Sequence, residues 1–406
     1  MAIVGGGYAG LSAALELARA GTVVTVIEAN EFGHGASTRN GGAVSGGVKL
    51  AKGLSGRSGR KDREAAEQDV ETMLTSAAES LRTIETIIAR EKIDCFYERS
   101  GRFVGAYTPK HYDDLARNVE LLNRYTEAGA SMVPRERQHT EIASDFYFGG
   151  MVAAGSGKLH PALYYKGLLD ACCGQGVRLC ARTRVGKITG KAGGFVLATD
   201  RGQIEAAEVV IATNGETGDA TPSLKRRIIP VASHIIATEE LPADLARSLF
   251  PTGKTISDTP RILTYYRMSP DGKRVLFGGR ARFTQVTPAI SAPVLYRFMT
   301  DRLPQLKGIR ITHAWTGNVA FTFDFLPHMG RERGMYYALG CNGSGVAMMT
   351  YLGTQTARKI LGGTGAACAF DDRELPGAPW YFGDPWFLPL VWRYFHARDT
   401  LDRRFA

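Results

Sequence analysis

The sequence predicts an α/β protein: a Rossmann-type dinucleotide-binding domain with an inserted β-meander, joined to a second, antiparallel α+β domain. Three features carry this reading. A strand, a glycine cluster and a helix open the chain. Short strands follow one another between residues 177 and 215. Period-2 alternation then marks the stretch from 218 to 310.

Ala2 to Val4 is the end of a buried strand, and Gly5-Gly6-Gly7-Tyr8-Ala9-Gly10 fits G-x-G-x-x-G. Gly5 permits a tight turn, Gly7 lets a pyrophosphate approach the backbone, and Gly10 lets the helix pack close to the strand. The helix runs to about Ala20 and stops at Gly21. Thr22 to Ile27 is a β-branched second strand. Glu28 ends it, 18 residues after Gly10 and just before Ala29. A carboxylate there accepts hydrogen bonds from a ribose, while the helix N-terminus holds the diphosphate.

The next stretch separates FAD from NAD. Residues 29 to 47 form a second glycine-rich loop that includes Ser37, Thr38, Arg39, Asn40, Gly41 and Gly42. Such a loop lays backbone donors and an arginine beside a flat, electron-accepting ring. On these residues alone a plain surface loop stays open.

Residues 62 to 92 read as a long helix whose apolar stripe is core, and the basic loop before it is expected on the surface. His160 precedes a helix that starts at Pro161, and reads as a cap or packing residue rather than a base. Strands from 177 to 215 form the meander and one more buried strand. In "RILTYYRM-SPDG-KRVLFGGRARF", Ser269 to Gly272 is a type I turn between two strands. Alternation puts Tyr266 on one face and Tyr265 with Arg267 on the other. "GMYYALGC" is a strand, "NGSG" a glycine turn, and a helix follows from about Val346. The turn imitates a hydrolase nucleophile elbow but has Asn342 where that motif needs glycine. The expected division is 1–94, 151–217 and 311–369 for the dinucleotide domain, 95–150 and 218–310 for the substrate domain, and 370–406 as an aromatic, basic tail.

The net charge of +10 fits a solvated surface or a basic mouth for anionic ligands. The basic stretch Lys49 to Arg63 has no interleaved aromatics, so no nucleic acid is expected. No run of 18 apolar residues is present and no secretion signal precedes the glycines. A membrane-surface contact has no supporting feature. The six cysteines lack C-x-x-C spacing, so reduced thiols, no metal and a cytoplasmic protein are the expectation.

"IVGGGYAGLSAALELARAG", "EAN-EFGHGASTRNGG", "ATNG" and "GCNGSGVAMMTYLG" together resemble the D-amino-acid oxidase and glycine oxidase superfamily of FAD enzymes, in its γ-glutamylputrescine oxidoreductase-like branch. The likeness runs from about residue 2 to 395. It implies that Val185 offers its backbone to the adenine and that Thr213, Asn214 and Gly215 turn beneath the cofactor. It implies that Trp315 and Gly317 lie beside it. It also implies that Asn342, Gly343, Ser344, Gly345 and Val346 bring a helix N-terminus to the flavin's pyrimidine edge, where positive partial charge stabilises the reduced state.

The activity so implied is oxidation of an amine or amino acid, secondary or N-substituted, by hydride transfer to flavin, with hydrolysis of the resulting imine. Molecular oxygen or another acceptor takes the electrons. The substrate-site expectations are Tyr266 as a cavity wall, Arg280 as the carboxylate holder, Arg267 as its alternative, and His234 as a polar contact. An FAD dehydrogenase of a 2-hydroxy acid or polyol phosphate, and a non-enzymatic flavin subunit, remain as alternatives. Three departures stand out. Some sarcosine-oxidising relatives bond the flavin through a cysteine, but "HAWTGNVAF" has none, so non-covalent FAD is expected. Thr38 stands where the branch often has glycine. The leader before the first strand is almost absent, as in a unit that begins here or a trimmed chain.

Overall fold

The computed structural model describes residues 1–46, 63–363 and 368–406. Most of the basic stretch from Lys49 to Arg63 therefore lies outside the described residues.

The opening strand, Ala2–Val4, is buried on both faces, as its apolar run requires. It pairs in parallel with Thr25–Ile27 on one side and Val209–Ile211 on the other. Arg178–Cys180 and Met335–Leu339 extend this parallel sheet, and His328–Glu332 closes one edge antiparallel. The strand order reverses at Ala2–Val4, and ligands of such sheets bind at the carboxyl ends beside that reversal. The helix Tyr8–Arg19 leaves from this point. A second helix, Gly345–Ile360, packs on it so tightly that a Cβ at Gly353 would lie 2.1 Å from the Ala9 carbonyl oxygen. Val185–Lys191, Gly194–Thr199 and Gly202–Ala206 form the inserted antiparallel meander.

The second sheet has eight strands. From one edge they are Ile311–Phe321, Ile229–Thr238, Val275–Gly279, Thr264–Met268, Thr255–Asp258, Arg102–Gly105, Gly150–Ala153 and Ala130–Val133. All neighbours are antiparallel except Thr255–Asp258 with Arg102–Gly105. Ile311–Phe321 pairs along its length with Ile229–Thr238, so that strand belongs to this sheet. The expected boundary before residue 311 therefore differs from the observed pairing. A strand sequence says nothing about which sheet will take it.

One face of this sheet carries Phe103, Ile256, Tyr266 and Phe277 against the helix Pro288–Arg302. Asp258 and Arg302 form a buried pair there, with Nη2 to Oδ2 at 2.7 Å and Thr264 donating to both carboxylate oxygens. The opposite face looks toward the glycine turns. The tail forms a helix, Leu388–Arg404, that docks on the protein: Trp392 Nε1 donates to the Arg280 carbonyl, and Asp399 accepts from the Arg261 and Ile262 amides. Among the described residues, no helix is long and apolar enough to cross a membrane and all six cysteines are free.

Candidate active site

The first glycine turn is tight for identifiable reasons. Gly5 has φ +105°, and a Cβ there would sit 2.6 Å from the Ala212 carbonyl oxygen. A Cβ at Gly10 would meet the Gly5 carbonyl oxygen at 2.0 Å, so only glycine lets strand and helix close up. Gly7 is different: its missing Cβ faces only Ser37 Oγ, at 3.1 Å, and it borders a cavity together with Tyr8 and Ala9. Gly7 caps the helix with no side-chain hydrogen bond, and the first turn has no acidic residue. That leaves amide donors and a positive helix end facing the cavity. Glu28 Oε2 accepts from the Gly6 amide and Oε1 from the Asn30 amide across Ala29. Thr183 N donates to the Glu28 carbonyl, which brings the Val185 strand alongside.

The second loop is anchored by its own side chains. Asn40 accepts from the Gly42 amide and donates to the Ser37 carbonyl. Thr38 Oγ1 donates to the Gly33 carbonyl at 2.6 Å. Arg39 donates to the Thr316 carbonyl, and Trp315 Nε1 donates back to the Arg39 carbonyl. Gly317 lies against Ala36 and Arg39. Arg39 thus ties loop to sheet.

On the far side, Asn214 Oδ1 accepts from the Gly340 amide, between the Thr213 hydroxyl pair and Gly215 against Asn318. Asn342, at φ 45°, holds the next turn by accepting from the Thr322 amide. The helix Gly345–Ile360 then begins with no side-chain cap at Ser344 and no acid in its first turn. Gly343, Ser344, Gly345 and Val346 border the same cavity as Gly7.

Two helix N-termini therefore meet at one cavity, the first giving its Tyr8 amide to Ser37 Oγ and the second with no side-chain cap.

The sheet supplies the other wall. Gly41 and Gly278 leave room for the Tyr265 ring: a Cβ at either would lie within 2.7 Å of it. Tyr265 OH shares a 2.9 Å hydrogen bond with Ser233 Oγ, and burial raises its pKa, so it stays protonated at neutral pH. Arg280 borders the cavity beside them, over Phe321 at 4.8 Å and Phe283 at 5.9 Å. No carboxylate pairs with it among the described residues, and burial pushes its guanidinium down to about 10.

Three expected substrate residues do not border this cavity. Tyr266 points to the opposite face, stacks on Phe277 at 5.0 Å and bonds Tyr147 OH at 2.7 Å. Alternation assigns Tyr265 and Tyr266 to opposite faces, but which face meets the cavity depends on what covers each. The helix Pro288–Arg302 covers the Tyr266 side. His234, also on that side, is fully buried and bonds Thr316 Oγ1 at 2.7 Å. Arg267 shares Tyr265's face, but it lies beyond the cavity and donates to the Leu159 carbonyl.

Sequence reasoning missed three residues: Tyr265, Ser233 and Arg102. Arg102 borders the cavity at 4% exposure, with no acceptor for its Nε. A lone cation in the apolar run "RFVG" is the signal that could have found it.

A dinucleotide-binding sheet, glycine cradles with no room for a Cβ, and two helix N-termini at one cavity define a flavin-type oxidoreductase fold, and the residues present fit FAD. The model of the family described as "FAD dependent oxidoreductase" matches residues 1–359, and the chain belongs to that family. It is 34% identical to gamma-glutamylputrescine oxidoreductase of Escherichia coli (strain K12), covering 98% of this chain and 92% of that protein. It is 24% identical to glycine oxidase of Geobacillus kaustophilus (strain HTA426), over 88% and 91% of the two chains. The crystal structure of glycine oxidase from Geobacillus kaustophilus superposes with a TM-score of 0.70 at 22% identity, covering 90% of this chain and 95% of that one. L-proline dehydrogenase from P. horikoshii gives a TM-score of 0.71 at 20% identity, over 90% and 94%. The protein is an FAD-dependent oxidoreductase, and its relatives in this family act on amines or amino acids.

Proposed function

We propose that this protein oxidises the C–N bond of an amino acid whose nitrogen is secondary or N-substituted. The observation that carries the reading is Arg280, a cavity cation with no carboxylate partner among the described residues, beside the Tyr265–Ser233 pair. Arg280 binds the substrate carboxylate through its planar fork. Tyr265 donates a hydrogen bond that orients the substrate. The chemistry FAD would supply when bound there is a hydride acceptor for the carbon next to nitrogen. The glycine turn at Gly5–Gly10, Glu28, the 37–42 loop and the 342–346 turn hold that cofactor.

The cavity lining has two formal charges, Arg102 and Arg280, and no Asp, Glu, Lys or His among the described residues. Positive surroundings disfavour an ammonium, so the substrate nitrogen binds neutral with its lone pair free. The iminium product hydrolyses in water to a carbonyl compound and an amine. The electrons pass to molecular oxygen, giving hydrogen peroxide, or to another acceptor.

The likeness to gamma-glutamylputrescine oxidoreductase supports amine oxidation. The charge of the lining favours an amino acid over a polyamine, whose cations would meet no counter-charge. A 2-hydroxy acid fits less well. Its hydroxyl proton needs a base, and no carboxylate or histidine lines the cavity among the described residues.

The test is anaerobic addition of sarcosine, other N-substituted amino acids, γ-glutamylputrescine and 2-hydroxy acids to the purified holoenzyme. Bleaching of the flavin band near about 450 nm by the amino acids is expected. Bleaching by hydroxy acids alone would refute the proposal.

A further inference from the structure

Two buried arginines on the cavity side of the eight-stranded sheet have no ionic partner among the described residues. Arg102 is 4% exposed and its Nε has no acceptor; Arg267 is also 4% exposed and its Nε has none either. Burial pushes each guanidinium down to about 10. The two stand in one row. Arg102 lies beside Thr255, and the pairing of Ile256 with Tyr266 puts Thr255 beside Arg267. The nearest carboxylate that acts on Arg267 is Glu98, which is engaged by Lys158 at 3.1 Å.

The other face of the same sheet is the contrast. Arg302, equally buried, has both Nε and Nη2 on Asp258. A buried cation without a partner is costly and rare, so one that borders a cavity implies a ligand that supplies the anion.

We infer that the cavity contains a second anion subsite, built on Arg102 with Arg267 behind it, for an acidic group of the substrate distinct from the one on Arg280. This deepens the amino-acid reading above and rests on it for the substrate's identity. The two sites cannot grip one carboxylate. Arg280 follows Gly279, which pairs with Thr264, whereas Arg102 is level with Arg267 three strands away. Strand spacings of about 4.8 Å and a rise of about 3.3 Å per residue put the two Cα atoms on the order of 20 Å apart. The substrate is therefore an amino acid with two acidic groups several bonds apart.

The experiment reads binding, not turnover. Saturated α,ω-dicarboxylates of increasing length, and monocarboxylates of matched length, are added to the holoenzyme while the flavin spectrum is followed. The best dicarboxylate should bind about tenfold tighter than its monocarboxylate counterpart, from one extra charge-assisted contact. Arg102→Gln should abolish that preference while retaining FAD and monocarboxylate binding, and Arg102→Lys should restore part of it. Equal wild-type affinity for the two series would overturn the inference, as would equal weakening of both by Arg102→Gln. Loss of FAD from both variants would overturn it too, by making Arg102 a cofactor residue. A dicarboxylate preference without flavin reduction by any amine would sink the proposed activity and leave the subsite standing. Reduction by amino acids without that preference would do the reverse.

Discussion

Arg102→Met should make the substrate-free holoenzyme more stable, although it damages ligand binding. Arg102 is held at about 10, roughly two pKa units or more below the ordinary arginine value, because burial strips its guanidinium of water. At about 1.4 kcal/mol for each tenfold, that difference amounts to on the order of 3 kcal/mol against the folded state. The sign follows from the direction. Below pH 10 the group is charged in both states and the full cost is present. Above pH 10 the folded protein loses the proton before the unfolded chain does, and the cost fades. Neutral pH therefore sees all of it. Methionine fills a similar space without the charge, and such exchanges of buried charge for apolar bulk stabilise by about 1–4 kcal/mol. With about 2.1 cal/mol/K of unfolding entropy per residue, a chain of 406 residues gains roughly 1 °C per kcal/mol. Scanning calorimetry of the holoenzyme should show a Tm rise of about 1–4 °C. A tight dicarboxylate should then raise the wild-type Tm more than the variant's, which keeps only the binding to Arg280. A Tm several degrees lower in Arg102→Met would refute the reasoning, because it would mean that the protein itself satisfies that charge.

Four further outcomes follow from the geometry. Arg280→Met should weaken carboxylate substrates by about ten- to a hundredfold, the loss of a hydrogen-bonded charge pair, read as KM and as the substrate dependence of anaerobic flavin reduction. Tyr265→Phe keeps the ring between Gly41 and Gly278 but removes the hydroxyl, so reduction should slow about tenfold with the Tm unchanged within a degree or so; an unaltered rate would remove Tyr265 from the site. Tyr266→Phe should do the opposite. It leaves Tyr147 OH without its partner in the core and costs about 1 kcal/mol in denaturant unfolding, with reduction kinetics untouched. Gly353→Ala drives a methyl into the Ala9 carbonyl. It should part the two helices whose N-termini face the cavity, cost about 1–3 kcal/mol, and raise the FAD dissociation constant measured by fluorescence quenching.

The cofactor half was legible because its chemistry is local. Gly5, Gly7 and Gly10 are needed where backbone meets backbone or ligand within ten residues of the start, and Glu28 follows at the end of the next strand. The helix after Asn342 was legible from its glycine turn. His160 capping the helix that starts at Pro161 followed from position alone: its ring accepts from the Leu163 amide. The strand Ile311–Phe321 and its place in the second sheet were not legible, because its partner Ile229–Thr238 lies some eighty residues upstream.

The substrate half was not legible in the same way. Alternation separated Tyr265 from Tyr266 correctly, yet an aromatic strand looks the same from either side. The decision came from Gly41, far away in sequence, and from the helix Pro288–Arg302 that claims the Tyr266 face. Arg102 showed in the sequence only as a lone cation in "RFVG"; that it is buried without a partner is a property of its surroundings.

The sequence by itself determined the dinucleotide sheet, the two glycine-led helices and hence the FAD-dependent family, since glycine without a Cβ is the residue that permits those close approaches. Only the tertiary structure decided which face of the second sheet meets the cavity and which arginines stand there unpaired. Those depend on long-range packing, which brings distant strands together and leaves some charges without partners.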